Sequence, residues 1–264
     1  MPELPEVETW RRLAERAALG RRIVRVWAAE DRKVMDQTAP AELAAWLLGR
    51  RVEGTHRKGK HLWLSFDQPG HLYLHFGMSG ELLHATEPDT RPSHAKLELS
   101  LEDGTLLTYR NPRRIGHLRW YDDAAHSPTV AALGPDPLLE NPPLAFYREA
   151  LAQRRAPIKS VLLDQTVFAG VGNWIADEVL YQARIAPRTV AADLDARQIR
   201  ELRDKLQAIL KLAVDVGADD TRFPQTWLFH HRWGKQAERT GRGEAIVFET
   251  IGGRTAAWVP SRQR

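Results

Sequence analysis

The chain has no cysteine among its 264 residues, which excludes disulfides, thiol nucleophiles and cysteine-held zinc together. It also lacks any apolar run near the roughly eighteen residues of a membrane span, and its acidic opening is not a basic n-region followed by an apolar h-region. HExxH-type spacing is missing among the 10 histidines, so neither a metal nor a cofactor is expected. Internal repeats and low-complexity tracts are absent too, and a hydrophobic content of 43% argues against disorder. What remains is a soluble, intracellular protein long enough for two domains, each with its own core.

Charge is the first positive signal. The net charge is +4, and residues 226–264 alone carry seven Lys/Arg against three Glu, also +4. A basic solvated face explains such a run, and so does a polyanionic partner. The opening Met1-Pro2-Glu3-Leu4-Pro5-Glu6 is the second signal. Loss of Met1 would leave a secondary amine with carboxylates one and four residues behind it. An α-amino group titrates near 8, so roughly a tenth is unprotonated at pH 7 and nucleophilic, less for the more basic proline nitrogen unless a cation or desolvation lowers it. Such an amine condenses with a sugar aldehyde carbon to an iminium, and Glu3 is placed to move protons. Pro and Glu also start helices for purely local reasons, so the opening alone leaves both readings standing.

Apolar residues recur at three and four from Val7 through Ala17, predicting a helix. Alternation then predicts strands at 23–27, 61–66, 72–76, 97–101, 106–109 and 118–121, with Asp103-Gly104 as a hairpin turn. That spacing suggests a sandwich or barrel. Five prolines between 128 and 143 mark a linker. Helices dominate beyond it, the clearest spanning 195–216 with Gly217 as its stop, and strands return after Thr226. The expected division is therefore 1–123, a linker at 124–145, a helical domain at 146–226 and a terminal segment at 227–264.

Three further constellations stand out. Gly170-Val171-Gly172-Asn173 precedes a helix and offers backbone N–H groups to an anion, most simply a phosphate, although a tight turn would need the same glycines. Arg57-Lys58-Gly59-Lys60 and Asn111-Pro112-Arg113-Arg114-Ile115-Gly116 put cations at strand ends. Met78 lies in His75-Phe76-Gly77-Met78-Ser79-Gly80. Cations beside a bulky apolar group suit contact with backbone phosphate and wedging of a base stack, and singly they suit ordinary surface and core positions.

Together with the opening and with Gly253-Arg254-Thr255, these motifs resemble the formamidopyrimidine-DNA glycosylase and endonuclease VIII family over nearly the whole chain. The resemblance implies an α+β fold: an N-terminal helix and β-sandwich, a helical domain carrying a helix-two-turn-helix, a C-terminal β-hairpin finger, and DNA in the cleft between domains. It implies Pro2 as the nucleophile at C1′, Glu3 as general acid and base, Glu6 as support for the site, and Lys60 near the lesion phosphate. By the same resemblance His94, Lys159, Asn173 and Arg254 contact the DNA backbone, while Met78, Arg113 and Ile115 fill the gap left by the extruded base. The partner would be duplex DNA with oxidised bases or abasic sites, met by a monomer in the bacterial nucleoid.

Three departures from the family pattern carry consequences. Without cysteine the finger resembles the zincless subtype, and Ile246, Phe248, Trp258 and Val259 are expected to hold it by apolar burial. Ile115 stands where an aromatic wedge is usual, and an aliphatic chain stacks less well, which bears on choice of the opposite base. Residues 217–230 are short beside enzymes that close a loop over 8-oxoguanine, so formamidopyrimidines and hydantoins are the expected substrates and 8-oxoguanine a weaker one. The rival readings are an endonuclease VIII-like enzyme for oxidised pyrimidines and a non-catalytic binder of damaged DNA.

Overall fold

The periodicity at the start of the chain becomes α1 (Leu4–Ala18), which buries Val7, Ala14, Ala17 and Ala18 along one stripe. The computed structural model describes residues 2–86, 91–234 and 238–264. After α1 come β1 (Ile23–Ala28), α2 (Pro40–Leu47), β2 (Val52–Lys58), β3 (His61–Phe66), β4 (His71–His75), β5 (Glu81–Ala85), β6 (Ala95–Leu101), β7 (Leu106–Arg110), β8 (His117–Tyr121) and the short α3 (Pro128–Ala131). Alternation located most of these strands but not β2, β5 or α2. The first, Val-Glu-Gly-Thr-His-Arg-Lys, is largely polar, and α2 is eight residues long, too short to show a period.

The strands form two antiparallel four-stranded sheets, ordered β1-β6-β7-β5 and β2-β3-β4-β8. Successive side chains on a strand face opposite ways. Leu62, Leu64, Leu72 and Leu74 of one sheet thus meet Leu82, Leu97, Leu99, Leu107 and Tyr109 of the other in an apolar sandwich core. Each buried leucine contributes about 2 kcal/mol relative to exposure. The opposite face of the second sheet carries His61, Trp63, Tyr73, His75, His117 and Arg119, in register across three strands.

The chain divides into two compact units, Met1–Pro2 with Glu6–Ala132, and Glu3–Pro5 with Leu133–Arg264. The second contains α4 (Leu144–Ala152), α5 (Ile158–Leu163), α6 (Asn173–Ala183), α7 (Ala196–Asp215), and the hairpin β9 (Val247–Ile251) and β10 (Arg254–Trp258). Leu4 is buried in this unit's core beside Ile175 and Val179. The boundaries of α7 follow from its ends. Asp195 accepts from the backbone N–H groups of Arg197 and Gln198, Gln198 answers in a capping box, and Gly217 takes φ +72° just past the end. Asp195→Ala is expected to lower stability by about 1 kcal/mol, read as a lower midpoint in urea.

The segment after Thr226 departs from its strand-like reading. Leu228–His231 is a 3₁₀ turn, because Trp227, Leu228 and Phe229 are all buried, with Phe229 edge-on to Trp174 at 5.3 Å. A run of apolar residues wrapped around a core looks like a strand in sequence. The hairpin beyond it packs through Ile246, Ala257 and Val259, with Phe248 at the margin. Trp258 lies outside that cluster, half-buried.

Candidate active site

The most informative contact of the second unit is made by Glu3. Its side chain is 2% exposed, and its carboxylate accepts the N–H of Trp174 at 2.9 Å and of Ile175 at 3.2 Å, in the first turn of α6. These are orphan donors that any helix start must satisfy. Gly172, the N-cap of α6, is glycine for a steric reason: a Cβ there would stand 2.2 Å from Cδ of Glu3. The anion seated on Gly170-Val171-Gly172-Asn173 is thus a carboxylate of the chain itself, where the sequence suggested a phosphate. One consequence is that the acid and base candidate is rigidly held one peptide bond from the Pro2 nitrogen. Pro2 is half-buried just ahead of α1, and Met1 lies outside the described residues.

Asn173 opens α6 half-buried, its Oδ1 without a hydrogen-bond partner among the described residues. Arg254 is exposed as the first residue of β10. Lys159 is the exception to the expected set of phosphate contacts. It is 0% exposed, and its ammonium donates to Asp177 Oδ1 at 2.5 Å and to the Thr255 carbonyl at 2.7 Å, so it faces protein rather than a phosphate. Burial holds its pKa below the ordinary lysine range despite Asp177.

In the first unit a carboxylate missed in the sequence organises the Lys60 turn. Glu8, 3% exposed, accepts from Arg57 Nε at 2.9 Å and also binds Arg11 and Arg12. Arg57 in turn donates to the Gly59 carbonyl at 2.9 Å, clamping the turn that carries Lys60. Burial would raise the Glu8 carboxyl, but Arg11 and Arg57 outweigh it and hold it below its usual range. The signal was present: Glu8 and Arg11 are three apart on α1. Glu6 sits half-buried in the first turn of the same helix.

Two loops of the first unit are built against each other. Gly77, at φ +61°, leaves no room for a side chain, since a Cβ would lie 2.5 Å from the Ile115 carbonyl oxygen. Asn111 Nδ2 donates to the Tyr109 hydroxyl at 2.6 Å and the Phe76 carbonyl at 3.3 Å, and the Arg113 N–H donates to Ser79 Oγ at 3.2 Å. This network brings Met78, Arg113 and Ile115 into one neighbourhood, with Met78 41% exposed. The Asn111 N–H also donates to the His94 carbonyl at 3.0 Å, fixing His94 in the left-handed region at φ 62° with its side chain exposed. Arg114 is the structural member of the pair, bound by Nε to Asp31 at 2.8 Å, and Arg113 points outward.

Beside Lys60, the rings of His61 and His75 stack at 5.1 Å, and those of His75 and His117 at 6.2 Å. His61 Nδ1 is 2.5 Å from the Tyr73 hydroxyl. Burial, then the neighbouring imidazole and Lys60, lower the pKa of His61 to about 3, and burial, His117 and Lys60 lower that of His75 to about 4. Both rings are neutral at pH 7.

The first unit thus carries a lysine turn and a packed Met/Arg/Ile loop pair on a β-sandwich, and the second seats the Glu3 carboxylate on a helix N-terminus, in a two-unit α+β protein. The models of the formamidopyrimidine-DNA glycosylase N-terminal domain and H2TH domain match residues 1–118 and 133–225. The Arabidopsis thaliana formamidopyrimidine-DNA glycosylase is 38% identical over all of this chain and 71% of its own length. Two solved structures of the Lactococcus lactis enzyme are similar throughout. One, bound to DNA containing an abasic site, has TM-score 0.86 at 31% identity over 99% of both chains. The other, a variant bound to Fapy-dG DNA, has TM-score 0.87 at 31% identity over all of both chains. The chain belongs to the formamidopyrimidine-DNA glycosylase family.

Proposed function

We propose that this protein removes oxidised bases from duplex DNA by a Schiff-base mechanism at Pro2 and then cleaves the strand. As a member of its family it is a base-excision-repair DNA glycosylase, and strand cleavage is the family norm. The observation that carries the residue assignment is the seating of Glu3 on α6, which fixes a buried carboxylate one residue from the Pro2 nitrogen, a free secondary amine once Met1 is removed. Attack by that nitrogen on C1′ breaks the glycosidic bond and the base leaves with a proton; the amine loses its N–H proton, the C1′–O4′ bond breaks as O4′ takes a proton, and the C1′ iminium forms. Glu3 handles the protons of base departure and ring opening. The iminium acidifies the C2′ hydrogen, whose loss expels the 3′ phosphate, and a second elimination releases the 5′ phosphate.

The supporting phosphate contacts divide by unit. Lys60 belongs to the first, and Asn173 and Arg254 to the second, as contacts to the phosphates around the lesion. Met78, Arg113 and Ile115 occupy the vacated stack. For substrate, formamidopyrimidines and hydantoins are favoured over 8-oxoguanine, because Phe223, Trp227 and Phe229 pin residues 217–230 to the core. We assign the protein to intracellular DNA, in bacteria the nucleoid. Among the described residues no helix is long and apolar enough to cross a membrane.

The experiment is borohydride trapping on duplexes carrying formamidopyrimidine, 8-oxoguanine, thymine glycol or an abasic site. A cross-link mapping to Pro2 by peptide mass spectrometry is the expected result, strongest with formamidopyrimidine among the base lesions. A cross-link at any other residue, or none, removes the nucleophile assignment. A preference for thymine glycol would instead favour the oxidised-pyrimidine reading.

A further inference from the structure

An isolated two-stranded hairpin is at best marginally stable in water, so β9–β10 needs anchors. The structure gives it three, all in the second unit. Gly252, at φ +57°, lies against α5, where a Cβ would come within 2.4 Å of Ser160 Oγ. Lys159, the residue before Ser160 on α5, donates to the Thr255 carbonyl at 2.7 Å. Asp177 of α6 accepts the Ala257 N–H at 3.2 Å through Oδ2, which also binds Arg232 Nη2 at 2.7 Å, while Oδ1 holds Lys159. Lys159, Asp177 and Arg232 are 0%, 1% and 8% exposed.

These anchors straddle Arg254. Gly252 fixes the chain before it, and Thr255 and Ala257 fix the chain after it, while Arg254 itself is exposed with no side-chain partner among the described residues. Apolar residues would fill the same space, often with equal or greater stability. They would not take hold of one named carbonyl and one named N–H of β10. We propose that the Lys159–Asp177–Arg232 triad is a positioning device that presents Arg254 to a DNA phosphate in a fixed place. Lys159 then acts on DNA through the finger, without touching it. The inference rests on the reading of Arg254 as a phosphate contact, and it makes Lys159 and Arg254 energetically one unit.

The test is a double-mutant cycle on binding to a duplex holding a tetrahydrofuran abasic analogue, measured by fluorescence anisotropy over a series of salt concentrations. Lys159→Met and Arg254→Ala are each expected to raise Kd about tenfold and to reduce the salt slope by about one. The double variant should be no weaker than either single one. If the two effects multiply to about a hundredfold, or if Lys159→Met binds like the wild type while Arg254→Ala does not, the positioning role is overturned and the Arg254 contact stands. If Arg254→Ala binds like the wild type, the phosphate reading itself fails and takes this inference with it. Asp177→Asn, which keeps the shape, replaces Lys159→Met if the latter does not fold. Hydrogen exchange on the wild type gives a check free of variants: the Ala257 amide should be protected like the core of α6, and exchange at the rate of an open hairpin overturns the dock.

Discussion

Gly172→Ala is expected to slow base excision by about 10²–10⁴-fold, the range typical of a positioned general acid or base. The backbone is not the obstacle, because φ −125° and ψ −162° suit alanine as well as glycine. The obstacle is the carboxylate of Glu3, whose Cδ lies 2.2 Å from where the new methyl would stand. Either Glu3 leaves the Trp174 and Ile175 N–H groups or α6 retreats, and in both cases the carboxylate loses its seat. The stability cost should be small by comparison, about 1–2 kcal/mol for a lost helix cap. Single-turnover excision on a formamidopyrimidine duplex, together with a urea melt, separates the two effects. Combining the change with Glu3→Gln should add little, since both remove the same group. A Gly172→Ala enzyme excising at the wild-type rate would show that the seat of Glu3 on α6 is irrelevant to catalysis.

Acid should unfold the first unit well before its carboxylates titrate. His61 and His75 have folded pKa values of about 3 and about 4, against 6.5 for an ordinary histidine. A depressed folded value means that the unfolded chain binds the proton first. The stability these rings contribute is therefore complete above pH 6.5 and is lost as pH falls from there toward 4 and then 3. Each ring that protonates only on unfolding removes roughly 1.4 kcal/mol per pH unit across that window. Glu178, in the second unit, runs the other way, because burial raises its carboxyl to about 7, so its penalty is relieved as pH falls from 7 to 4.5. Unfolding midpoints in urea at pH 7.5, 6.0 and 5.0 should fall steeply for the first unit. His61→Asn, which keeps a hydrogen-bonding group near the Tyr73 hydroxyl but cannot take the proton, should flatten the slope by one group's share. A wild-type profile level between pH 7.5 and 5 would contradict the buried, neutral state of the stack.

How much was legible beforehand depended on whether a residue's neighbours lie close in sequence. The end of α1 at Ala18, the capped length of α7 and the strands with alternating leucines follow from local period and local donors. The β2 strand did not, because its side chains are polar for the sake of partners elsewhere: Arg57 for Glu8, 49 residues away. Lys159 was expected at a phosphate through resemblance alone, and its protein partners are likewise distant in sequence. Only the fold shows Asp177 and the Thr255 carbonyl closing over it, the latter 96 residues on. Met78, Arg113 and Ile115 were recognised as a set by resemblance, yet the Asn111 network that assembles them is tertiary.

By itself the sequence determined the chemistry on offer: a proline and a carboxylate side by side at positions 2 and 3, no thiol, and basic groups at strand and hairpin ends. It determined these because composition and covalent adjacency survive without a fold. Tertiary structure alone decided which anion sits on the α6 N-terminus, which arginine of the pair is tied to Asp31, and that Lys159 reaches the Thr255 carbonyl of the hairpin. Those outcomes depend on which buried charge finds a partner at hydrogen-bond distance, and an unpaired one is too costly to keep.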